Sequence, residues 1–310
     1  MALAVDVGGT KLAAGLVNEQ GRLLDWASVP TPNTAPSAKA LFAVLSDLIH
    51  KVLDRSPSYD VVVCGVGSGG PMTGGGDRVS PLNIPQWRDF ELRACLVQVL
   101  GVTTVVDNDA KALALGEGWT GAAAGIDNYL AMVVSTGVGG GIVLNGQLLE
   151  GADGNAGHIG HLIVEPGGRL CRCGARGCLE AEASGRSIEA LTGRPAALAD
   201  ATVVARTGTL VGRGVASVAN LCDLKLAVAA GSVALGYREP FFAAAQAEID
   251  RCARLDFSRG TRLLPAGLGP QGPLVGAAAV GWRAIGRARW ASTPHPGGCG
   301  QVPGTPTGRA

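Results

Sequence analysis

One structural unit occurs twice in this chain, and the repeat limits the folds that the chain can adopt. The unit reads as a strand, a glycine-rich turn, a strand, an Asn/Gly turn and a third strand. Its first copy covers residues 3–29 with the turn Gly8-Gly9-Thr10, and its second covers residues 129–151 with the turn 135–139. Apolar segments bounded by such turns predict paired β-strands. Two similar units in one chain therefore predict two related lobes.

The two glycine-rich turns indicate what the lobes could hold between them. Backbone N–H groups in such turns can point into a concavity and bind phosphate oxygens. The chain contains no GxxxxGK[ST] sequence and neither turn opens a helix, so a Walker A loop and a dinucleotide-binding motif are both disfavoured. The pair of turns favours a nucleotide between two lobes, with two ordinary hairpin turns as the alternative.

A cysteine-rich segment, residues 157–180, predicts a metal site. Cys171, Cys173 and Cys178 follow a C-x-C-x4-C spacing, and His161 lies ten residues upstream. Three thiolates and an imidazole suit a tetrahedral Zn²⁺ ion, and four protein ligands leave no open position for water, so we expect a structural site. Buried thiols without a metal, or a disulfide, are the alternatives.

Composition sets broad limits on function. With 310 residues, 47% of them hydrophobic, and a formal net charge of +1, the chain suits one large domain or two lobes and does not suggest nucleic acid or an acidic membrane as a partner. No apolar run reaches spanning length, and Asp6 interrupts the first apolar segment, so neither a membrane span nor a signal peptide is expected. Eight cysteines are too few for a disulfide framework. We expect a cytoplasmic enzyme.

The segments between and beyond the two copies read as an alternation of helices and strands. Residues 37–53 show apolar positions at helical spacing, and residues 103–119 read as a strand, a polar break at Asp107-Asn108-Asp109 and a helix. Residues 185–250 read as mostly helical with a strand at 226–231. We expect an α/β protein with an N-terminal lobe, a C-terminal lobe and a disordered tail, at residues 1–107, 108–287 and 288–310 respectively.

Five sequence motifs together resemble those of the ROK family of repressors, open reading frames and sugar kinases. They are DVGGTK (6–11), DNDAKALALGE (107–117), STGVGGG (135–141), GHIGH (157–161) and CRCGARGCLE (171–180). The resemblance implies an actin-like ATPase (ribonuclease H-like) fold with two lobes around a central cleft. It also implies phosphorylation of a sugar hydroxyl with ATP and Mg²⁺, and a homodimer.

The resemblance assigns roles to residues on the sugar side of this cleft. Asp109 matches the catalytic base that accepts a proton from the attacking hydroxyl, although a helix N-cap is the alternative explanation for an acid at this position. Contacts with the sugar are implied for Asn83, Asn108, His158, His161 and Glu180. His161 would also bind the zinc ion.

The resemblance also assigns the nucleotide side. Phosphate binding is implied for Gly8, Gly9, Thr10 and Lys11 in one lobe and for Thr136, Gly137 and Gly139 in the other. Gly231 would lie by the adenine, and Asp6 would help to hold Mg²⁺ through water.

Two departures from the family's pattern bear on function. His158 stands where the family's kinases usually carry the glutamate of an E-x-G-H motif, and Gly231-Ser232 stands in place of a Gly-Gly pair. The sequence therefore leaves open a sugar-binding protein without turnover, or a regulator lacking a DNA-binding domain. Polyphosphate in place of ATP also stays open.

Overall fold

The computed structural model describes residues 1–287, and the expected disordered tail at 288–310 lies outside them. Ten strands are described: β1 (Ala2–Val7), β2 (Lys11–Val17), β3 (Leu23–Pro30), β4 (Val63–Ser68), β5 (Thr103–Asn108), β6 (Tyr129–Val134), β7 (Val138–Leu144), β8 (Gln147–Leu148), β9 (Leu226–Ala230) and β10 (Arg262–Pro265). The α-helices are α1 (Ala38–Arg55), α2 (Leu92–Leu100), α3 (Asp109–Thr120), α4 (Leu179–Ala183), α5 (Gly185–Thr192), α6 (Ala201–Cys222), α7 (Ser232–Cys252) and α8 (Gly272–Ala284).

The strands form two five-stranded sheets with the same topology. The first has the order β3-β2-β1-β4-β5 and the second the order β10-β9-β6-β7-β8. In each sheet an antiparallel meander of three strands is extended by two strands parallel to the first strand of the meander. The predicted repeat is thus confirmed as a repeat of sheet topology. The third strand of the second meander, β8, has only two residues. Leu148 is followed directly by the loop that leads towards residues 157–161.

The helices cover the faces of these sheets. Helix α1 begins after Ser37, whose hydroxyl accepts a hydrogen bond from the Ala40 N–H at 3.1 Å, and buries Leu41, Leu45 and Ile49. It packs on β2 and β3. In the second half, α6 and α7 pack against each other. Helix α7 is kinked where Arg238 adopts a φ of 55° two residues before Pro240, because proline cannot donate the helical hydrogen bond.

Helices α3 and α8 cross closely between the two sheets. A Cβ atom at Gly276 would meet the Ala112 backbone of α3, and a Cβ atom at Gly65 of β4 would meet the Ala277 carbonyl of α8, so both positions need glycine for this approach. Helix α3 also packs on β6 and β7, whereas α8 packs on β1, β4 and β5. The last described helix therefore returns to the first sheet. The lobe boundary between residues 107 and 108 stays a prediction.

None of the helices within residues 1–287 combines the length and the apolar character needed to cross a membrane.

Candidate functional site

The junction of β5 and α3 carries the three polar residues of the DNDA sequence. The strand continues through Asn108 and the helix begins directly at Asp109, so the expected break between them is absent. Asn108 is the N-cap of α3, and its Oδ1 accepts a hydrogen bond from the Ala110 N–H at 3.0 Å. Because Asn108 holds the capping position, an N-cap role does not account for the acid at Asp109.

Asp109 and Asp6 lie within electrostatic reach of each other. Asp6 on β1 pairs in register with Gly67 on β4, which has no side chain to stand between the two acids and whose Cβ position would be 3.7 Å from Asp109 Cα. Desolvation, with the charge of Asp109, raises the pKa of Asp6 to about 7 against the lowering effect of Lys11. Two carboxyls in this arrangement favour a nearby cation.

Asp109 is exposed, yet enough protein surrounds its carboxyl for desolvation to raise its pKa. This effect outweighs the lowering of the pKa by the Ala110 N–H, which donates to Oδ1 at 2.8 Å, and by the nearby His158. A carboxyl that water can reach and whose affinity for a proton is raised suits a general base.

The first glycine-rich turn lies at the end of β1. The Gly8 N–H donates to the Lys11 carbonyl at 3.0 Å and closes the turn, while Thr10 and Lys11 are exposed. A Cβ atom on Gly9 would collide with Asn83, so Asn83 lies directly against the turn. Asn83 Oδ1 is buried and has no hydrogen-bond partner among the described residues. Such an acceptor suits a ligand donor.

The second glycine-rich turn lies beside the start of α3. A Cβ atom on Gly139 would be 3.1 Å from the Ala110 Cβ, next to Asp109 in sequence. Glu180 Oε2 accepts a hydrogen bond from the Val138 N–H at 3.0 Å and would be 2.8 Å from a Cβ atom on Gly137. Glu180 is therefore held against the turn, and Thr136 is exposed within it.

Gly231 lies close to this second turn. Its φ of 99° and its contact with the Val134 backbone both require glycine, and it is the N-cap of α7. The next residue, Ser232, has its hydroxyl 2.9 Å from that of Ser135. Hence the departure from Gly-Gly at Ser232 places a hydroxyl pair, and no large side chain, beside the turn.

His158 lies near Asp109 with one ring nitrogen engaged. Its Nδ1 is 2.8 Å from the Asn155 carbonyl oxygen, which can only accept, so Nδ1 carries the hydrogen. In the neutral ring, Nε2 is then a hydrogen-bond acceptor. The ring is nearly parallel to that of His161, with centroids 6.3 Å apart.

The predicted metal ligands lie together. The ligand atoms of His161, Cys171, Cys173 and Cys178 lie within 4.8 Å of one another, and these cysteines are free thiols. His161 Nδ1 is 3.7 Å from Cys171 Sγ, and Cys173 Sγ is 3.6 Å from Cys178 Sγ. A tetrahedron with Zn–S bonds of about 2.3 Å has edges of about 3.8 Å, so this cluster has dimensions suitable for zinc.

The cluster also fits zinc chemically. Desolvation and the neighbouring thiols raise the pKa of Cys178 to about 12, so a doubly charged ion would be needed to hold it as a thiolate at neutral pH. The disulfide alternative is wrong for these cysteines, since each is a free thiol.

Two polar residues next to the site, Lys111 and Glu150, are given no role by any of the motifs. Lys111, buried on α3, pairs with Asp107 and Glu150. A lysine within the otherwise Ala/Leu-rich helix was the only signal for it, and the sequence gives no indication of its partners.

The chain belongs to the ROK family, whose family model matches residues 2–283. Among curated proteins it is similar to N-acetylmannosamine kinase of Yersinia pseudotuberculosis serotype O:1b (strain IP 31758), with 38% identity over 259 residues that cover 78% of this chain and 87% of the relative.

Two solved structures of this family are also similar. The ROK hexokinase from Thermus thermophilus is 33% identical with a TM-score of 0.81, covering 92% of this chain and 99% of that one. A ROK family glucokinase from Streptomyces griseus, solved with glucose and AMPPNP, is 30% identical with a TM-score of 0.76, covering 91% and 99%. The expected actin-like α/β fold is confirmed, and these relatives are sugar kinases.

Proposed function

We propose that this protein is a sugar kinase that uses ATP and Mg²⁺ to phosphorylate a hydroxyl of a hexose or an N-acetylhexosamine. The observation that carries the proposal is the position of Asp109 at the start of α3, within reach of Asp6 and beside the second glycine-rich turn. The sugar kinases among its relatives support the same activity.

Asp109 acts as the general base. Phosphoryl transfer passes through a loose transition state, so catalysis depends mainly on positioning the hydroxyl and on neutralising charge. The raised pKa of Asp109 increases its affinity for the proton that the attacking hydroxyl loses. Asn108 caps α3 and so fixes the backbone from which Asp109 projects, while its Nδ2 remains a donor for a sugar oxygen.

The two turns hold the nucleotide phosphates through backbone N–H groups. Gly8, Gly9, Thr10 and Lys11 serve from the first lobe, and Thr136, Gly137 and Gly139 from the second, with Gly231 by the adenine. Asp6 helps to hold Mg²⁺. Its pKa is raised to about 7, and the charge of a bound divalent cation would stabilise its carboxylate form. Bound Mg²⁺ would supply charge neutralisation on the phosphates.

His158 and its neighbours bind the sugar. The unpartnered Oδ1 of Asn83 is an acceptor for a hydroxyl. The His161 ring lies next to that of His158, and Glu180 lies against Gly160 between these two histidines in the chain. The glutamate that is usual at position 158 can accept from two vicinal hydroxyls, whereas Nε2 of a neutral imidazole accepts from one. A sugar with an acetamido group in place of one hydroxyl suits this smaller capacity, so we favour N-acetylhexosamines over glucose.

The cluster of His161 and three cysteines binds a structural Zn²⁺ ion in this proposal, and the zinc fixes the loop that carries the sugar contacts. Its four donors leave no position for substrate, so the ion takes no part in phosphoryl transfer. A homodimer, as the family resemblance implies, completes the proposal.

An ADP-release assay tests this function and its sugar class. Glucose, mannose and their 2-acetamido counterparts are compared with ATP as donor. Polyphosphate, which releases no ADP, is tested separately by measuring the sugar phosphate that is formed. We expect ATP-dependent ADP release, with a higher kcat/KM for at least one acetamido sugar than for its parent hexose. The variant His158→Glu should shift that ratio towards the parent hexose. No ADP release with any sugar would refute the kinase, and an unchanged ratio in His158→Glu would refute the role of His158.

A further inference from the structure

Lys111 is a buried cation next to the proposed site, with its side chain only 2% exposed. It lies on α3, two residues after Asp109. An ammonium group in such a position is costly unless each of its donors has a partner. Its partners should therefore reveal what the residue holds in place.

The ammonium has three partners from two parts of the chain. It contacts Asp107 Oδ1 at 3.1 Å, the Gly154 carbonyl oxygen at 3.0 Å and the carboxylate of Glu150. Three acceptors match the three N–H donors of a lysine. One partner belongs to the strand that leads to Asp109, and the other two belong to residues 150–158, which we call the sugar loop. Lys111 thus joins the sugar loop to the junction of β5 and α3, where Asp109 lies.

The contact continues along the sugar loop to His158. Gly154 is followed by Asn155, whose carbonyl oxygen accepts the hydrogen bond from His158 Nδ1. The loop also closes on itself, because the Ala156 N–H donates to the Glu150 carbonyl at 2.9 Å. Holding Glu150 and Gly154 therefore fixes the peptide that orients the imidazole.

The backbone next to Lys111 is fitted to the same arrangement. A Cβ atom on Gly141 of β7 would be 3.0 Å from Lys111 Cα, so glycine at this position lets α3 lie against the strand.

Glu150 has a second partner on α8, since Arg283 Nη1 lies 3.1 Å from its Oε1. Burial acting alone would raise the pKa of Glu150, but Lys111 and Arg283 lower it, so the carboxylate stays ionised.

We propose that Lys111 is a positioning residue for sugar binding: it fixes the sugar loop against the β5–α3 junction so that His158 faces the site of Asp109. The proposal rests on the proposed function for its kinetic consequence, although the anchoring of the loop can be measured without turnover. The competing explanation is an ion pair that only stabilises the fold. Its removal would lower the unfolding temperature without changing the KM of one substrate more than that of the other.

Kinetics of Lys111→Met separate these explanations. We expect the KM for the sugar to rise at least ~10-fold, as for partners that orient a functional side chain, with the KM for ATP nearly unchanged. Arg283→Met, which removes the other partner of Glu150 but leaves Lys111 in contact with Asp107 and Gly154, is the matched control and should raise the sugar KM much less than Lys111→Met does. An equal change in both KM values, or none in Lys111→Met, would overturn the proposal.

A double-mutant cycle tests whether Lys111 acts through His158. If it does, Lys111→Met combined with His158→Ala should bind sugar no more weakly than His158→Ala alone. Additive losses would show that Lys111 acts independently of the imidazole. Glu150→Gln serves as a milder second variant if Lys111→Met does not fold.

Amide hydrogen exchange provides the readout that needs no activity. In Lys111→Met, residues 150–158 should exchange faster than in the wild type, while α6 and α7 should keep their protection. Unchanged exchange in the sugar loop would overturn the anchoring, whatever the kinase assays give. If the wild type releases no ADP with any sugar but the loop exchange rises, the proposed function fails and the anchoring stands.

Discussion

At the scale of single residues, Glu248 on α7 makes a half-buried ionic contact outside the site. Its carboxylate accepts hydrogen bonds from Arg251 at 2.8 Å and from Arg213 of α6 at 2.9 Å, and only 7% of its side chain is exposed. The contacts with Arg251 and Arg213 lower the pKa of Glu248 to about 2, although desolvation alone would raise it. The carboxylate thus joins the two long helices of the second half.

The variant Glu248→Gln should destabilise the protein by about 1–3 kcal/mol at pH 7, because it leaves the partly buried Arg213 without its charged partner. A carboxyl with a lowered pKa contributes stability above its unfolded value of 4.5 and loses it as the pH falls towards 2. The difference between wild type and variant in urea unfolding should therefore be constant from pH 7 to pH 5 and shrink below that.

Glu239→Gln is the control, since Glu239 is exposed on the same helix. It should change the free energy of unfolding very little. A Glu248→Gln effect that is no larger than this control, or that grows as the pH falls, would contradict the assigned contact.

The residue types of the site could be found from the sequence, but their hydrogen-bond partners could not. Asp109 stands in the DNDA motif, and the predicted zinc ligands stand near one another in the chain, so the motifs alone pointed to them. The partners of Lys111 come from residues 43 positions away or less, yet nothing in the local pattern marks Glu150 or Gly154. The capping role of Asn108 was equally open, because Asp107 and Asn108 both suit an N-cap.

At the scale of elements, residues 157–180 have stabilising contacts besides the predicted metal ligands. Glu182, just after this segment, is buried, and it pairs with Arg206 of α6 at 2.6 Å and with the Arg169 Nε at 3.5 Å. It also accepts the Arg169 N–H at 2.6 Å. These contacts attach one side of the cysteine-rich segment to α6. In the proposed function, the side with His161 depends on the zinc ion.

Purified protein should contain about one zinc ion per chain, as expected for a closed four-ligand site. A chelator should lower the unfolding temperature and increase amide exchange around His161, while the part near Glu182 keeps more of its protection. Metal content by mass spectrometry of metals, with differential scanning fluorimetry, measures both effects.

Cys171→Ser should behave like the chelated protein, and Cys95→Ser, on α2 and outside the cluster, should behave like the wild type. Absence of zinc together with wild-type stability in Cys171→Ser would contradict the metal site.

The elements themselves were largely predictable. Helix α1 and the strands of the first meander have the expected bounds to within about two residues, because apolar periodicity and turn residues agree there. The third strand of the second unit was predicted to reach residue 151, but β8 ends at Leu148, and the kink in α7 was not predicted. Pro240 gave a signal for the kink, but the residues on both sides of it read as helical.

At the scale of the whole molecule, the repeated unit made the two-sheet architecture predictable. Each copy folds into the same meander, and the parallel strands are added on the same side of it. The position of α8 was not predictable, because its apolar faces do not specify which sheet they cover. Its glycines fit Gly65 of the first sheet and α3, a match that only the folded chain displays.

The central claim is that both halves of this molecule serve one phosphoryl transfer in which Asp109 takes the proton. The most direct measurement compares ADP release by the wild type and by Asp109→Asn at saturating ATP, with sugar binding measured separately by calorimetry. The variant should bind the sugar nearly as well as the wild type and turn over at least ~10²-fold more slowly, the usual loss when a general base is removed. Turnover close to that of the wild type in a folded Asp109→Asn variant would contradict the account.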